Sequence, residues 1–198
     1  MNNDGYDDAL VCGTRRLHLY VNQAGAGFVE RAATYGLTYF YADIRLVDMD
    51  ADSDLDIVGI NLKNVHLLEN SGGTYKAPKV LAFMGDDSGS DLAVGDADRD
   101  GRTDIFAQRS LVNANPDDFL LMNLGGSSFT RVAVPAVGGS GSDVQALTSN
   151  GRASFLVLNG REIAGPTQLI DVSPEGARRL VLEDALHARR RQGVVLLI

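Results

Sequence analysis

Two sequence markers recur on a period of about 48 residues, and that period limits the fold more than any other feature of the chain. The first is Asp96-Ala-Asp-Arg-Asp-Gly-Arg-Thr-Asp104, with carboxylates at positions 1, 3, 5 and 9 of nine and Gly101 at position 6. It recurs as Asp48-Met-Asp-Ala-Asp-Ser-Asp-Leu-Asp56, and Asn2-Asn-Asp-Gly-Tyr-Asp-Asp8 fits its positions 3 to 9. The position-9 residues Asp8, Asp56 and Asp104 are spaced by 48 and 48. Thr148-Ser-Asn-Gly-Arg-Ala-Ser154 reads as an eroded fourth copy that keeps the Gly and has lost its carboxylates. The second marker is Leu19-Tyr-Val-Asn22 followed by a Gly-rich turn and Phe28. It returns around Asn70, Asn123 and, more faintly, Asp171, in steps of 48, 53 and 48. Periods of this size are the signature of repeat architectures.

One period holds four short strand signals. Ile57-Val-Gly-Ile-Asn61 is apolar and β-branched, a turn near Asn64 leads to Val65–Glu69, and Asn70-Ser-Gly-Gly73 reads as a hairpin turn. Tyr75 to Phe83 follows, and after a polar stretch Leu92-Ala-Val94 enters the next acidic segment. Strands of this length separated by turn residues predict an antiparallel meander, and four per repeat is the content of a propeller blade. Apolar residues at helical spacing are not found. The expected fold is all-β: a single β-propeller domain over residues 1–198, with about four 48-residue blades in repeats near 2–47, 48–95, 96–145 and 146–198. Glu175 to Arg191 carries strong helix formers, with two helical turns allowed over 183–190, and Gly193–Ile198 reads as a strand. Two arrangements stay open. Residues 194–198 complete the blade that residues 5–28 begin, closing a four-bladed ring, or the chain is a fragment of a longer propeller.

With 198 residues and 44% hydrophobic content the chain can bury a proper core. The net charge of −8 speaks against nucleic acid or an anionic membrane as partner. Much of that acidity is local, since the three acidic segments hold 12 of the 26 acidic residues. The lone Cys12 forms no internal disulfide and no Cys-based metal site. No apolar run approaches the ~20 residues that span a bilayer. The opening residues lack a signal-peptide pattern, so if the protein is exported its signal lies outside this sequence.

Alternate-residue carboxylates converge on one point when the chain curls around it, and a Gly at the tightest part eases the curl. Gathered carboxylates repel one another unless a cation sits among them. Ca²⁺ is the expected occupant, because it takes six to eight oxygens in flexible geometry. The residues so nominated are Asp48, Asp50, Asp52 and Asp56, then Asp96, Asp98, Asp100 and Asp104, with Asn2, Asp4 and Asp8 as a partial set. An EF-hand is excluded, because position 12 is Gly59 in one segment and Ala107 in the other, and strands follow both.

The Asp-x-Asp-x-Asp-Gly-x-x-Asp pattern before apolar strands resembles the FG-GAP/VCBS repeats of integrin-α-like β-propellers. The turn from Asn22 to Phe28 and the pair Ala77-Pro78 are similar to elements flanking those repeats. Leu19-Tyr-Val-Asn22 with Phe28-Val-Glu30 resembles the cartilage-acidic-protein-like branch, often joined to an ASPIC/UnbV domain that is absent from this sequence. The resemblance implies calcium held by side chains at positions 1, 3, 5 and 9 and by a main-chain carbonyl at position 7, here Asp54 and Arg102. Ser53 stands where those repeats usually have Gly at position 6.

His18 and His66 suggest a catalytic pair at first sight. They fall at matching positions four residues before Asn22 and Asn70, hence in different blades, and read as structural or surface residues. Cys12 reads as a small buried group, and Arg189–Arg191 as a solvated turn. No nucleophile elbow, zinc-protease motif or phosphate-binding Gly loop is present, so the chain is expected not to be an enzyme. The expectation is a calcium-binding, non-catalytic interaction or adhesion module, extracellular, periplasmic or at the cell surface, with a protein or glycan ligand, and membership of a larger multidomain chain is left open. A calcium-dependent lectin-like propeller is the alternative, although Trp is absent and aromatics are only 7%. A polysaccharide-active enzyme domain is the third reading.

Overall fold

The computed structural model describes residues 1–2, 4–85, 88–110, 117–134, 141–159, 167–173 and 176–182. Among them all regular secondary structure is β, in four antiparallel sheets that follow one another along the chain. The first sheet is β1 (Ala9–Cys12), β2 (Leu17–Asn22) and β3 (Phe28–Glu30). The second is β4 (Asp43–Val47), β5 (Asp56–Ile60), β6 (Asn64–Leu68) and β7 (Lys79–Phe83). The third is β8 (Ser88–Gly95), β9 (Asp104–Ser110), β10 (Asp118–Gly125) and β11 (Ser128–Val134). The fourth is β12 (Gly141–Ser149), β13 (Arg152–Asn159), β14 (Thr167–Ser173) and β15 (Gly176–Leu182). Within each sheet every strand pairs with its chain neighbour, so all four are meanders.

The sequence period and the sheets are offset by one strand. Each complete acidic segment joins the first and second strands of a sheet, β4 to β5 and β8 to β9. A repeat that starts at the acidic segment therefore contributes three strands to one sheet and the first strand of the next. The partial segment ending at Asp8 leads straight into β1, which is the counterpart of β5 and β9.

Three apolar cores hold the sheets face to face, each between consecutive sheets. Leu17, Leu19 and Val21 of the first meet Ile57 and Leu68 of the second. Val58, Ile60 and Leu67 of the second meet Leu92, Ile105, Phe119 and Leu121 of the third. Phe106, Leu120 and Met122 of the third meet Val144, Phe155, Val157 and Ile170 of the fourth, with the Phe106 and Phe155 rings stacked at 5.2 Å. Successive residues of β9 and β10 alternate between two cores, which explains why inner strands read as unbroken apolar runs. The edge strand β11 shows the opposite pattern, with every residue exposed or half-buried until Val134. Close approach explains Gly59, where an added Cβ would stand 2.6 Å from the Tyr41 ring.

The leading strands are also latched to one another. The Asp43 carboxylate of β4 accepts the Leu92 N–H of β8 at 2.9 Å, and Asp91 of β8 accepts the Val144 N–H of β12 at 3.2 Å. Arg45 spans the first junction, bonding Asp43 at 2.6 Å and Asp91 at 3.2 Å. Among the described residues no apolar core joins the fourth sheet back to the first. The strand expected at Gly193–Ile198, the closure through 194–198, the helical turns at 183–190 and the Arg189–Arg191 run all lie outside the described residues.

Candidate metal centre

The two complete acidic segments fold into loops of one shape. Each is entered from the first strand of its sheet and left through position 9, which opens the second strand. Both loops turn into the left-handed region at positions 4 and 6: Ala51 (φ 64°) and Ser53 (φ 75°), then Arg99 (φ 67°) and Gly101 (φ 83°). Gly101 takes this conformation without steric cost, whereas Ser53 takes it against its Cβ.

The carboxylates themselves organise the curl. Asp48 accepts N–H bonds from Asp52 at 3.2 Å and Ser53 at 3.0 Å. Asp96 accepts those of Arg99, Asp100 and Gly101 at 2.7, 3.2 and 2.9 Å. At position 5, Asp52 accepts the Asp54 N–H at 2.8 Å and Asp100 accepts the Arg102 N–H at 2.9 Å. The Arg102 guanidinium pairs with Asp100 and sends its Nε to the Asn123 carbonyl at 2.7 Å.

Position 9 is buried in both loops, with Asp56 and Asp104 fully inaccessible. One oxygen of Asp56 accepts the Met49 N–H at 2.9 Å and the other the Asn70 N–H at 2.7 Å. Asp104 does the same with Ala97 and Asn123, both at 2.8 Å. The Asn side chains complete the bond set. Asn70 and Asn123 donate through Nδ2 to the position-8 carbonyls of Leu55 and Thr103, both at 3.2 Å. Their Oδ1 atoms accept the N–H groups of Gly73 and Gly125, both at 2.9 Å. The two sequence markers are thus parts of one hydrogen-bonded corner.

Asn22 and Asp8 repeat this corner in the first sheet. The Asn22 N–H reaches Asp8 at 2.9 Å, Asn22 Nδ2 reaches the Asp7 carbonyl at 3.3 Å, and Gly25 N–H reaches Asn22 Oδ1 at 2.9 Å. The other oxygen of Asp8 meets the Met1 amine at 3.1 Å and the Asn2 N–H at 3.4 Å. Asp4 bonds Asn2 Nδ2 at 2.8 Å and the Tyr6 N–H at 3.0 Å.

Carboxylate oxygens converge at two points. Asp48, Asp50 and Asp56 bring ligand atoms within 4.8 Å of one another, and Asp96, Asp98 and Asp104 do the same. These are positions 1, 3 and 9. Asp52, Asp54, Asp100 and Arg102 stand outside the two triads, as do Asp4 and Asp8. Burial pushes the Asp104 carboxyl up to about 6, against the two N–H bonds that lower it and with help from Asp98 and Asp100. Asp56 is raised for the same first reason. Burial, then the charge of Asp52, raises Asp50. For Asp8 burial also acts upward, but the N–H bonds of Asn22 and Asn2 and the nearby amine leave the carboxyl below its ordinary value. Triads that gather three carboxylates around one point, with oxygen as the only donor type, fit a hard divalent cation.

The fourth copy has no such loop. The strands β12 and β13 pair through Ser149 opposite Arg152, leaving Asn150 (φ 51°) and Gly151 (φ 72°) as a two-residue turn. Positive φ at both central residues is the turn favoured by Asn-Gly hairpins. The hairpin docks on the loop before it, with Ala153 N–H on the Asp96 carbonyl at 2.6 Å and Arg152 Nε on that of Ala97 at 3.2 Å.

His18 and His66 lie on β2 and β6 of different sheets. His18 Nδ1 approaches Glu30 at 3.5 Å, while His66 meets the Tyr41 ring edge-on at 5.6 Å. Cys12 is half-buried in β1 against the first core, and burial raises its thiol. Sequence reasoning missed the Asp43, Asp91 and Asp143 series on β4, β8 and β12. Its steps of 48 and 52 were available as a third periodic marker.

The sequence model of the FG-GAP-like repeat family matches residues 1–59 and 48–107, just over half of the chain. The first match spans the partial and second acidic segments, and the other spans the second and third. No curated protein matches the chain.

Proposed function

The chain belongs to the FG-GAP-like repeat family, and from that membership we propose that its sheets are blades of a β-propeller that is stapled by calcium and serves as a non-catalytic interaction module. The observation that carries the reading is the pair of triads, Asp48–Asp50–Asp56 and Asp96–Asp98–Asp104, each at the same corner of its sheet. When bound, a calcium ion would neutralise the gathered carboxylates. Asp52 and Asp100 would join the shell from position 5, and the Asp54 and Arg102 carbonyls from position 7. Asn2, Asp4 and Asp8 form a weaker third set.

In this reading the protein's own groups position the site. The Asn70 and Asn123 corners hold the position-9 carboxylates in place, and the position-1 carboxylates shape the curl. Met49 and Ala97, at position 2, are buried in the cores between sheets. A loop that tightens around an ion therefore stiffens a junction between sheets. Recognition then falls to surfaces that a rigid frame presents, which suits adhesion or ligand capture outside the cytoplasm. The cartilage-acidic-protein-like branch is the finer placement we favour, on the Leu19–Asn22 and Phe28–Glu30 segments.

Calorimetric titration of the metal-free chain with calcium tests this. Two ions per chain are expected at tight sites, and Asp50→Ala and Asp98→Ala should each remove one. A stoichiometry of zero, or one unmoved by both substitutions, would refute the staple.

A further inference from the structure

A cavity of about 650 Å³ lies against the second sheet, within the usual range for small-ligand sites. One wall is the run Tyr39–Phe40–Tyr41 that leads into β4. It is strapped on both sides, because the Tyr39 carbonyl accepts the Leu17 N–H at 2.8 Å and the Ala42 N–H reaches the Ile60 carbonyl at 2.7 Å. Tyr39 and Phe40 are each 39% exposed, so their rings are offered at the mouth. Tyr41 is buried behind them, and its hydroxyl has no protein partner.

The facing wall is the β5–β6 turn. The Asn61 N–H bonds the Asn64 carbonyl at 3.0 Å, and Asn61 Oδ1 accepts the N–H groups of Lys63 and Asn64 at 3.0 and 2.9 Å. That fixes the turn and leaves Asn61 Nδ2 and the Asn64 side-chain amide to meet a ligand. His66 lines the floor with a buried, unpartnered Nδ1, and Ala77 and Pro78 close one side.

Charge is what this cavity lacks. None of its lining side chains is acidic, and none is basic apart from His66. Burial lowers the His66 imidazole below its ordinary value, so it stays neutral at pH 7. A phosphate, carboxylate or ammonium group would find no counter-charge here. A neutral sugar ring suits both walls: its apolar C–H face stacks on an aromatic ring, and its hydroxyls bond amides. We propose that the Tyr39–Phe40–Tyr41 cavity is a binding site for a neutral saccharide, with Tyr39 and Phe40 as the stacking platform and Asn61 and Asn64 as hydroxyl partners. This rests on the interaction-module reading and not on the bound cation.

The test is titration of the full chain with neutral tetrasaccharides of glucose, mannose and galactose, in calcium and in chelator, with a blocked proline-rich peptide as rival probe. At least one saccharide should bind. Phe40→Ala should weaken it tenfold or more, Phe40→Tyr should retain it, and Phe28→Ala, at an exposed ring on β3, should leave it unchanged. Failure of all three sugars, binding indifferent to Phe40→Ala, or capture of the peptide instead would overturn the proposal. Sugar binding without calcium uptake would remove the staple alone, and calcium uptake without sugar binding would remove this site alone.

Discussion

The single residue that decides most about each corner is the position-9 aspartate. Asp104 is fully buried and accepts two main-chain N–H groups, from Ala97 and Asn123. Asp104→Ala would strand both donors in the interior, at about 1–3 kcal/mol each. A chemical-denaturation series should therefore show a loss of roughly 2–6 kcal/mol even in chelator. A loss under 1 kcal/mol would mean that the aspartate serves only the ion. Ser53 offers the reverse experiment. Its φ of 75° costs a residue with a Cβ about 1 kcal/mol, so Ser53→Gly should raise the unfolding midpoint. The acidic pattern was legible in the sequence because its spacing is local. The link from Asp104 to Asn123 was not, since it crosses 19 residues and appears only when β9 and β10 pair.

Among elements, the latch between leading strands carries a pH signature. Asp91 of β8 sits between Asp43 and Arg45 on β4 and Asp143 on β12, and its own oxygens also take the Leu92 and Val144 N–H groups. Burial first, then sharing a proton with Asp43, pushes its carboxyl up to about 8. The sign follows directly. The folded chain holds a proton that the unfolded chain releases near pH 4, so stability from this group falls as pH rises from about 4 to 8. Denaturation across that window in chelator should show a declining stability that Asp91→Asn flattens. An unchanged slope in the variant would place the pH dependence elsewhere. Strand positions were readable from apolar runs and turn residues, as with β5 and β6. The fourth acidic copy was harder, because Asn150-Gly151 serves equally as the remnant of a loop and as a two-residue hairpin turn. Strand pairing decides between them.

At the scale of the molecule, four meanders stack through three cores, and each complete acidic corner joins the first two strands of its own sheet while its position-2 residue is buried in a core between sheets. The 48-residue period made this order of sheets legible, since each repeat must bury its faces against neighbours. The aromatic cavity was not legible, because Tyr39–Phe40–Tyr41 becomes a wall only against the β5–β6 turn of the sheet it leads into. The central claim is that cations in the acidic corners hold this stack together. Thermal unfolding in saturating calcium against chelator tests it most directly. At a hundredfold excess over Kd each site adds about 2.7 kcal/mol, and each kcal/mol moves the midpoint of a chain this size by about 2–4 °C. Two sites therefore predict a rise of about 10–20 °C in calcium that Asp50→Ala and Asp98→Ala together abolish, and coincident midpoints in the two solutions would contradict the account.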